Sequence, residues 1–159
     1  RGGGAGWRRP ERRAGALTAA REDLYIRKAT LWGGNLAVLA SLVGTPYLPE
    51  IKGGVLFLED VAEHPYRLER LLTQLLHAGV LGKQKAVILG QFSDYKLVPH
   101  DKGFKLASVV DWLRQQTKTQ IVTDLPYGHV PTKVLLPVGS QVSLSVEGRD
   151  ALVYWGHTH

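Results

Sequence analysis

The stretch from Gly54 to Gly90 leaves this chain little choice of fold. Val55-Leu56-Phe57-Leu58 is a short unbroken apolar run that follows Gly53-Gly54, as expected of a strand buried on both faces. Leu68, Leu71, Leu72, Leu75 and Leu76 then recur at helical spacing, while Arg67, Glu69 and Arg70 lie mostly off that stripe and Gly79 supplies a stop. Ala86 to Leu89 is a second buried-strand run, so residues 54–90 read as a β-α-β unit. Two strands joined by a helix must lie parallel, because a parallel pair needs a crossover of about a dozen residues or more.

The flanking sequence extends the pattern. Asn35 to Leu42 is apolar with small residues until Gly44, Pro46 and Pro49 break it, and a further helix is expected around Leu106–Gln116 with Val109, Val110 and Leu113 inward. Ile121-Val122 leads to Pro126, Lys133 to Leu136 ends at Pro137, and Gln141 to Val146 alternates before Gly148-Arg149-Asp150 turns the chain into Ala151–Trp155, a hairpin. The fold class this predicts is α/β: a mixed sheet with a β-α-β unit and a C-terminal β-hairpin, covered by two or three helices.

At 159 residues the chain fits one domain with a real core. The net charge of +6 would suggest a nucleic-acid partner were it spread over the body. It is not. Residues 1–28 hold eight basic residues against Glu11, Glu22 and Asp23, and the remainder holds 12 basic and 11 acidic. The excess belongs to a Gly- and Arg-rich segment that reads as a solvated, poorly ordered extension, and residues 29–159 read as the domain. A basic tail can bind phosphates by counterion release, but nothing else in the chain points to nucleic acid. No run approaches the roughly 20 apolar residues of a membrane span, and the charged N-terminus has no apolar run behind it. With no cysteine there is no disulfide framework and no thiolate metal site, so a cytoplasmic protein is the expectation.

Glu59 and Asp60 directly follow the apolar run Val55–Leu58, at the strand end where α/β sheets place functional groups. Asp60 also suits an N-cap of the next helix. His129 sits in Leu125-Pro126-Tyr127-Gly128-His129-Val130-Pro131, a loop between strands stiffened by prolines. A histidine and a carboxylate are the base and its orienter in a nucleophilic triad, although either could equally be structural. The third member is the difficulty. There is no cysteine, and no serine lies in a Gly-x-Ser-x-Gly elbow. Ser93, in Gly90-Gln91-Phe92-Ser93-Asp94, comes closest but lacks the second glycine. His157 and His159 could hold a divalent ion only with further ligands, and Gly33-Gly34-Asn35-Leu36 is no phosphate loop.

Taken as phrases, these segments resemble the C-terminal domain of the LD-carboxypeptidase (muramoyl-tetrapeptide carboxypeptidase) family. Three phrases carry the likeness: Leu31-Trp32-Gly33-Gly34-Asn35-Leu36 with Gly44-Thr45-Pro46-Tyr47-Leu48-Pro49; Gly54 to Asp60 with Glu63, Tyr66-Arg67 and Arg70; and Gly128-His129 with Leu136-Pro137-Val138-Gly139. The resemblance covers roughly residues 29 to 155. It implies a serine peptidase with a Ser-His-Glu triad that removes terminal D-alanine from murein tetrapeptide during cytoplasmic cell-wall recycling, as a homodimer without metal or cofactor. On the matching positions Glu59 orients the imidazole, His129 is the base and then the acid, and Asn35 is a substrate contact. In the family the nucleophilic serine belongs to an N-terminal domain that this chain does not match, so the chain alone is expected to be inactive. Two other readings remain at this point: a non-catalytic peptide-binding or dimerising fragment, and a peptidase of the microcin-immunity type.

Overall fold

The computed structural model describes residues 3–8, 23–59, 65–90, 106–125, 138–148 and 150–155. Among the described residues seven strands form one sheet: β1 (Gly3–Arg8), β2 (Leu24–Asn35), β3 (Val55–Glu59), β4 (Ala86–Gly90), β5 (Gln120–Leu125), β6 (Gln141–Glu147) and β7 (Asp150–Trp155). Three helices accompany it among the described residues: α1 (Leu36–Ser41), α2 (Pro65–His77) and α3 (Leu106–Gln116), with a 3-10 turn over Leu81–Lys83. The strand order is β1-β7-β6-β2-β3-β4-β5. β2 to β5 run parallel and β2, β6, β7 and β1 run antiparallel, so the class is the mixed α/β sheet expected. The sheet curls far enough that its edge strands, β1 and β5, approach to within 8 Å between Cα atoms.

The twofold period of a strand explains why the parallel runs are apolar throughout. Leu56, Leu58, Val87 and Leu89 point to one face, where Leu68, Leu72 and Leu75 of α2 and Val109, Val110 and Leu113 of α3 cover them. Val55, Phe57, Ala86 and Ile88 point to the other face and meet Val142, Leu144, Val146, Ala151 and Val153 from the hairpin. The curl therefore lets the hairpin serve as the second cover of the parallel strands. Each fully buried leucine of α2 contributes about 1.5–3 kcal/mol. α2 starts on Pro65, a residue suited to a first helical turn. It ends where Gly79 takes φ +80° and Gly79 and Val80 return hydrogen bonds to Leu76 and Leu75.

Two strands lie where the sequence suggested none. β1 and the start of β2 fall inside residues 1–28, the segment read as an extension, and β1 lines up against β7 from Gly3↔Trp155 to Arg8↔Asp150. Asp60, a residue suited to cap the next helix, lies outside the described residues, as does the strand expected over Lys133–Leu136.

Candidate functional site

Glu59 is the last residue of β3, half-buried, at the C-terminal edge of the parallel strands. The parallel register of β2 and β3 runs from Leu31↔Val55 to Asn35↔Glu59. Two residues picked out separately in the sequence thus stand side by side on adjacent strands, which lie about 4.8 Å apart. Asn35 ends β2 and is also the N-cap of α1: its Oδ1 accepts the Val38 N–H at 3.0 Å. This bond satisfies one of the donors a helix start leaves over. The Nδ2 amide carries two N–H donors and Oδ1 keeps a second lone pair, so Asn35 retains both donor and acceptor capacity toward a further partner.

β2 reaches this edge through a tight passage. Gly33 and Gly34 take φ +128° and +143°, a region open to glycine alone. A Cβ on Gly33 would overlap the Phe57 carbonyl oxygen and stand 3.0 Å from Leu56 Cδ1. One position earlier, Trp32 is 4% exposed and its indole Nε1 donates to Gln84 Oε1 at 3.1 Å. That anchors the strand from below while its end remains accessible. Around the same edge Val38, in the first turn of α1, is 60% exposed, and Tyr66, in the first turn of α2, is 48% exposed. Arg67 and Arg70 are exposed on α2 as well. Sequence reasoning singled out Asn35 from its phrase and considered Gly33 and Gly34 only as a rejected phosphate loop, although two glycines ahead of a capping residue were the visible signal of the tight passage.

His129, Glu63, Ser93, His157 and His159 lie outside the described residues. Among the described residues no three His, Cys, Asp or Glu side chains gather into a metal site, and no helix is long and apolar enough to cross a membrane.

Comparison with known proteins bears on this edge. Residues 28–144 match the family model for the LD-carboxypeptidase C-terminal domain. The murein tetrapeptide carboxypeptidase of Pseudomonas aeruginosa is 35% identical over 120 residues, which are 74% of this chain and 38% of that protein. The crystal structure of muramoyltetrapeptide carboxypeptidase from Oxalobacter formigenes superposes with a TM-score of 0.86 at 40% identity, over 98% of this chain and 50% of that one. The microcin C7 self-immunity protein MccF shares the fold, with a TM-score of 0.62 at 24% identity over 85% of this chain and 40% of that one. The chain therefore spans half or less of the length of these relatives.

Proposed function

The chain belongs to the LD-carboxypeptidase family through its C-terminal domain, and we propose that it supplies the glutamate and histidine of a Ser-His-Glu peptidase that removes the terminal D-alanine of murein tetrapeptide. The observation that carries this is Glu59 at the C-terminal end of a central parallel strand, in register with Asn35, together with 40% identity to a solved muramoyltetrapeptide carboxypeptidase. The serine comes from the part of the relatives' length that this chain does not match.

The topology supports a role for His129 by reach. β5 ends at Leu125 on the same edge as Glu59, two strands away from β3 in the sheet order. Two strand spacings amount to about 10 Å. Four residues of extended chain, from Leu125 to His129, reach about 13–14 Å. The histidine loop can therefore meet Glu59 without any strand moving.

In this reading Glu59 accepts the imidazole N–H of His129, which fixes the tautomer and stabilises the cation that forms. His129 takes the proton of the serine hydroxyl as its oxygen attacks the carbonyl carbon of the terminal peptide bond. The C–N bond then breaks, and the same proton passes to the departing D-alanine nitrogen. Water hydrolyses the acyl-enzyme by the same route in reverse. Asn35 donates from Nδ2 to an acceptor oxygen of the peptide. The reading carries with it a cytoplasmic role in peptidoglycan recycling and a homodimeric intact enzyme.

The test is D-alanine release from murein tetrapeptide by this chain mixed with a serine-bearing N-terminal half from a relative. Release in the mixture is expected, falling by about 10⁴ on Glu59→Gln, the scale seen when a triad's orienting carboxylate is neutralised. A folded mixture that binds the tetrapeptide equally well with and without Glu59→Gln, and releases nothing, would replace this reading with a binding module.

A further inference from the structure

A parallel sheet gathers the segments that enter its strands along one rim, and here the segments entering β3, β4 and β5 all carry exposed lysine. Lys52 stands three residues before β3, Lys85 directly before β4 and Lys118 two residues before β5, with Lys83 in the 3-10 turn. Hydrogen bonds hold these segments together. The Gly53 N–H donates to the Lys83 carbonyl at 2.7 Å and the Lys85 N–H to the Gly54 carbonyl at 2.9 Å, while Thr119 Oγ1 donates to the Leu81 carbonyl at 3.0 Å. The strand order β3-β4-β5 therefore lays the lysines in a row across two strand spacings, about 10 Å. Lys85 leans along this row: its Cε lies 3.7 Å from where a Cβ on Gly53 would stand, which carries its stem over the segment of Lys52. Gly53, Gly82, Thr117 and Thr119 lie beside the lysines in the chain, so little side-chain bulk there separates the cations from a ligand.

An ordinary role accounts for part of this charge. Lys83 and Lys118 follow the ends of α2 and α3, where helix carbonyls favour a cation. Glu50, exposed two residues before Lys52, supplies one full negative charge. With about −0.5 from each helix end, about two of the four positive charges remain without an opposite one. Among the described residues no carboxylate forms an ion pair with any of the four lysines. Like charges gathered on adjacent strands repel, and a bound anion relieves that repulsion. All four are lysine rather than arginine, so they offer point charges and no bidentate fork. No aromatic residue lies in the row to stack a base. We propose that the rim before β3, β4 and β5 binds a linear, base-free phosphate polyanion, whose oxygens meet Lys52, Lys85 and Lys118 in turn while Lys83 stays at the end of α2. The length of β3 sets this rim about 13 Å from Glu59, and a ligand here needs no part of the peptidase site.

Fluorescence anisotropy of end-labelled inorganic polyphosphate, titrated with the full chain at about 50 and 200 mM salt, tests this. The native chain should bind at the lower salt and weaken steeply at the higher, because each phosphate contact adds about −0.7 to the slope of log K on log salt. The triple variant Lys52→Gln, Lys85→Gln, Lys118→Gln should bind more weakly at the lower salt. Between the two salts it should lose about twentyfold less affinity than the native chain, the effect of three contacts removed. Lys→Arg at the same three positions keeps the charge and should bind as the native chain does, which separates lost charge from a disturbed fold. The basic residues of 1–28 are the rival source of charge. In a chain already carrying Arg8→Gln, Arg9→Gln, Arg12→Gln and Arg13→Gln, the three lysine substitutions should flatten the salt dependence again. A native chain that does not bind polyphosphate at the lower salt overturns the proposal. So does a triple glutamine variant whose Kd and salt slope match the native ones, which would hand the binding to residues 1–28. An oligothymidylate with the same number of phosphates, bound as tightly as polyphosphate, would overturn the base-free ligand and make the rim a nucleic-acid interface.

Discussion

Removing the amide of Gln84 should cost this fold more than any other single polar change among the described residues. Gln84 is 6% exposed, and all four of its hydrogen-bonding positions are filled. Its Oε1 accepts from Trp32 Nε1 and from the Gly54 N–H, each at 3.1 Å, and its Nε2 donates to the carbonyls of Ile51 at 2.7 Å and Val80 at 3.0 Å. One side chain thus ties β2, the approach to β3 and the approach to β4 together beneath the sheet. Gln84→Leu keeps the volume and strands two donors and two acceptors. At about 1–3 kcal/mol for each buried group left unpaired, the upper sum exceeds what such sites show, because water can enter and shared partners do not add. A loss of about 3–5 kcal/mol is expected, set against a total stability of roughly 5–15 kcal/mol for a domain. With a urea m-value of about 2 kcal/mol/M, the unfolding midpoint drops by about 1.5–2.5 M. Trp32→Phe leaves only Oε1 with one partner fewer and should cost less, and the double variant should lose less than the two single losses combined. A Gln84→Leu loss below about 1 kcal/mol, or strict additivity with Trp32→Phe, would refute the reasoning that this amide is the lock.

Two further outcomes follow from the antiparallel half. Lys28 holds φ +48° at the register shift between Ile26 and Ala29, with its N–H 3.3 Å from Ser143 Oγ. Because left-handed backbone costs a non-glycine residue about 1–2 kcal/mol and glycine gives back about 0.5–1 in chain entropy, Lys28→Gly should stabilise the protein by about 0.5–1 kcal/mol; a lowered urea midpoint would contradict this. Tyr154 donates to the Tyr25 hydroxyl at 2.8 Å, and that bond, lost on ionisation, holds the Tyr154 phenol above the ordinary value of 10.0. Any stability linked to it is present at neutral pH and fades as pH rises through the raised value. Phenolate absorbance, with Tyr154 identified by Tyr154→Phe, should show its midpoint moving back down in Tyr25→Phe, and an unmoved midpoint would exclude the bond as the cause.

What could be read from the sequence, and what could not, divides by how local the cause is. β3, α2 and β4 declared themselves because each carries its own period, and the two-sided burial of the strands leaves no polar residue to interrupt the run. β2 hid for the opposite reason. Its buried residues Ile26 and Ala29 are three apart, because the bulge at Lys28 shifts the pleat by one residue and erases the alternation that marks a half-buried strand. β1, rich in glycine at positions 3, 4 and 6, has almost no side chains with which to write a pattern. The site shows the same division. Glu59 stood out because a carboxylate closing an apolar run is a local oddity, but its pairing with Asn35 is a product of parallel register. That register is set by where the crossover through α1 and its following loop lets β3 begin, and the loop is in turn pinned by the Gln84 amide at Ile51 and Gly54. A glutamine with no sign of importance in the sequence therefore pins the loop from which β3 starts. If Gln84 were lost and the register of β2 on β3 slipped by one place, Glu59 would face Gly34 and the donor of Asn35 would turn to the other face of the sheet.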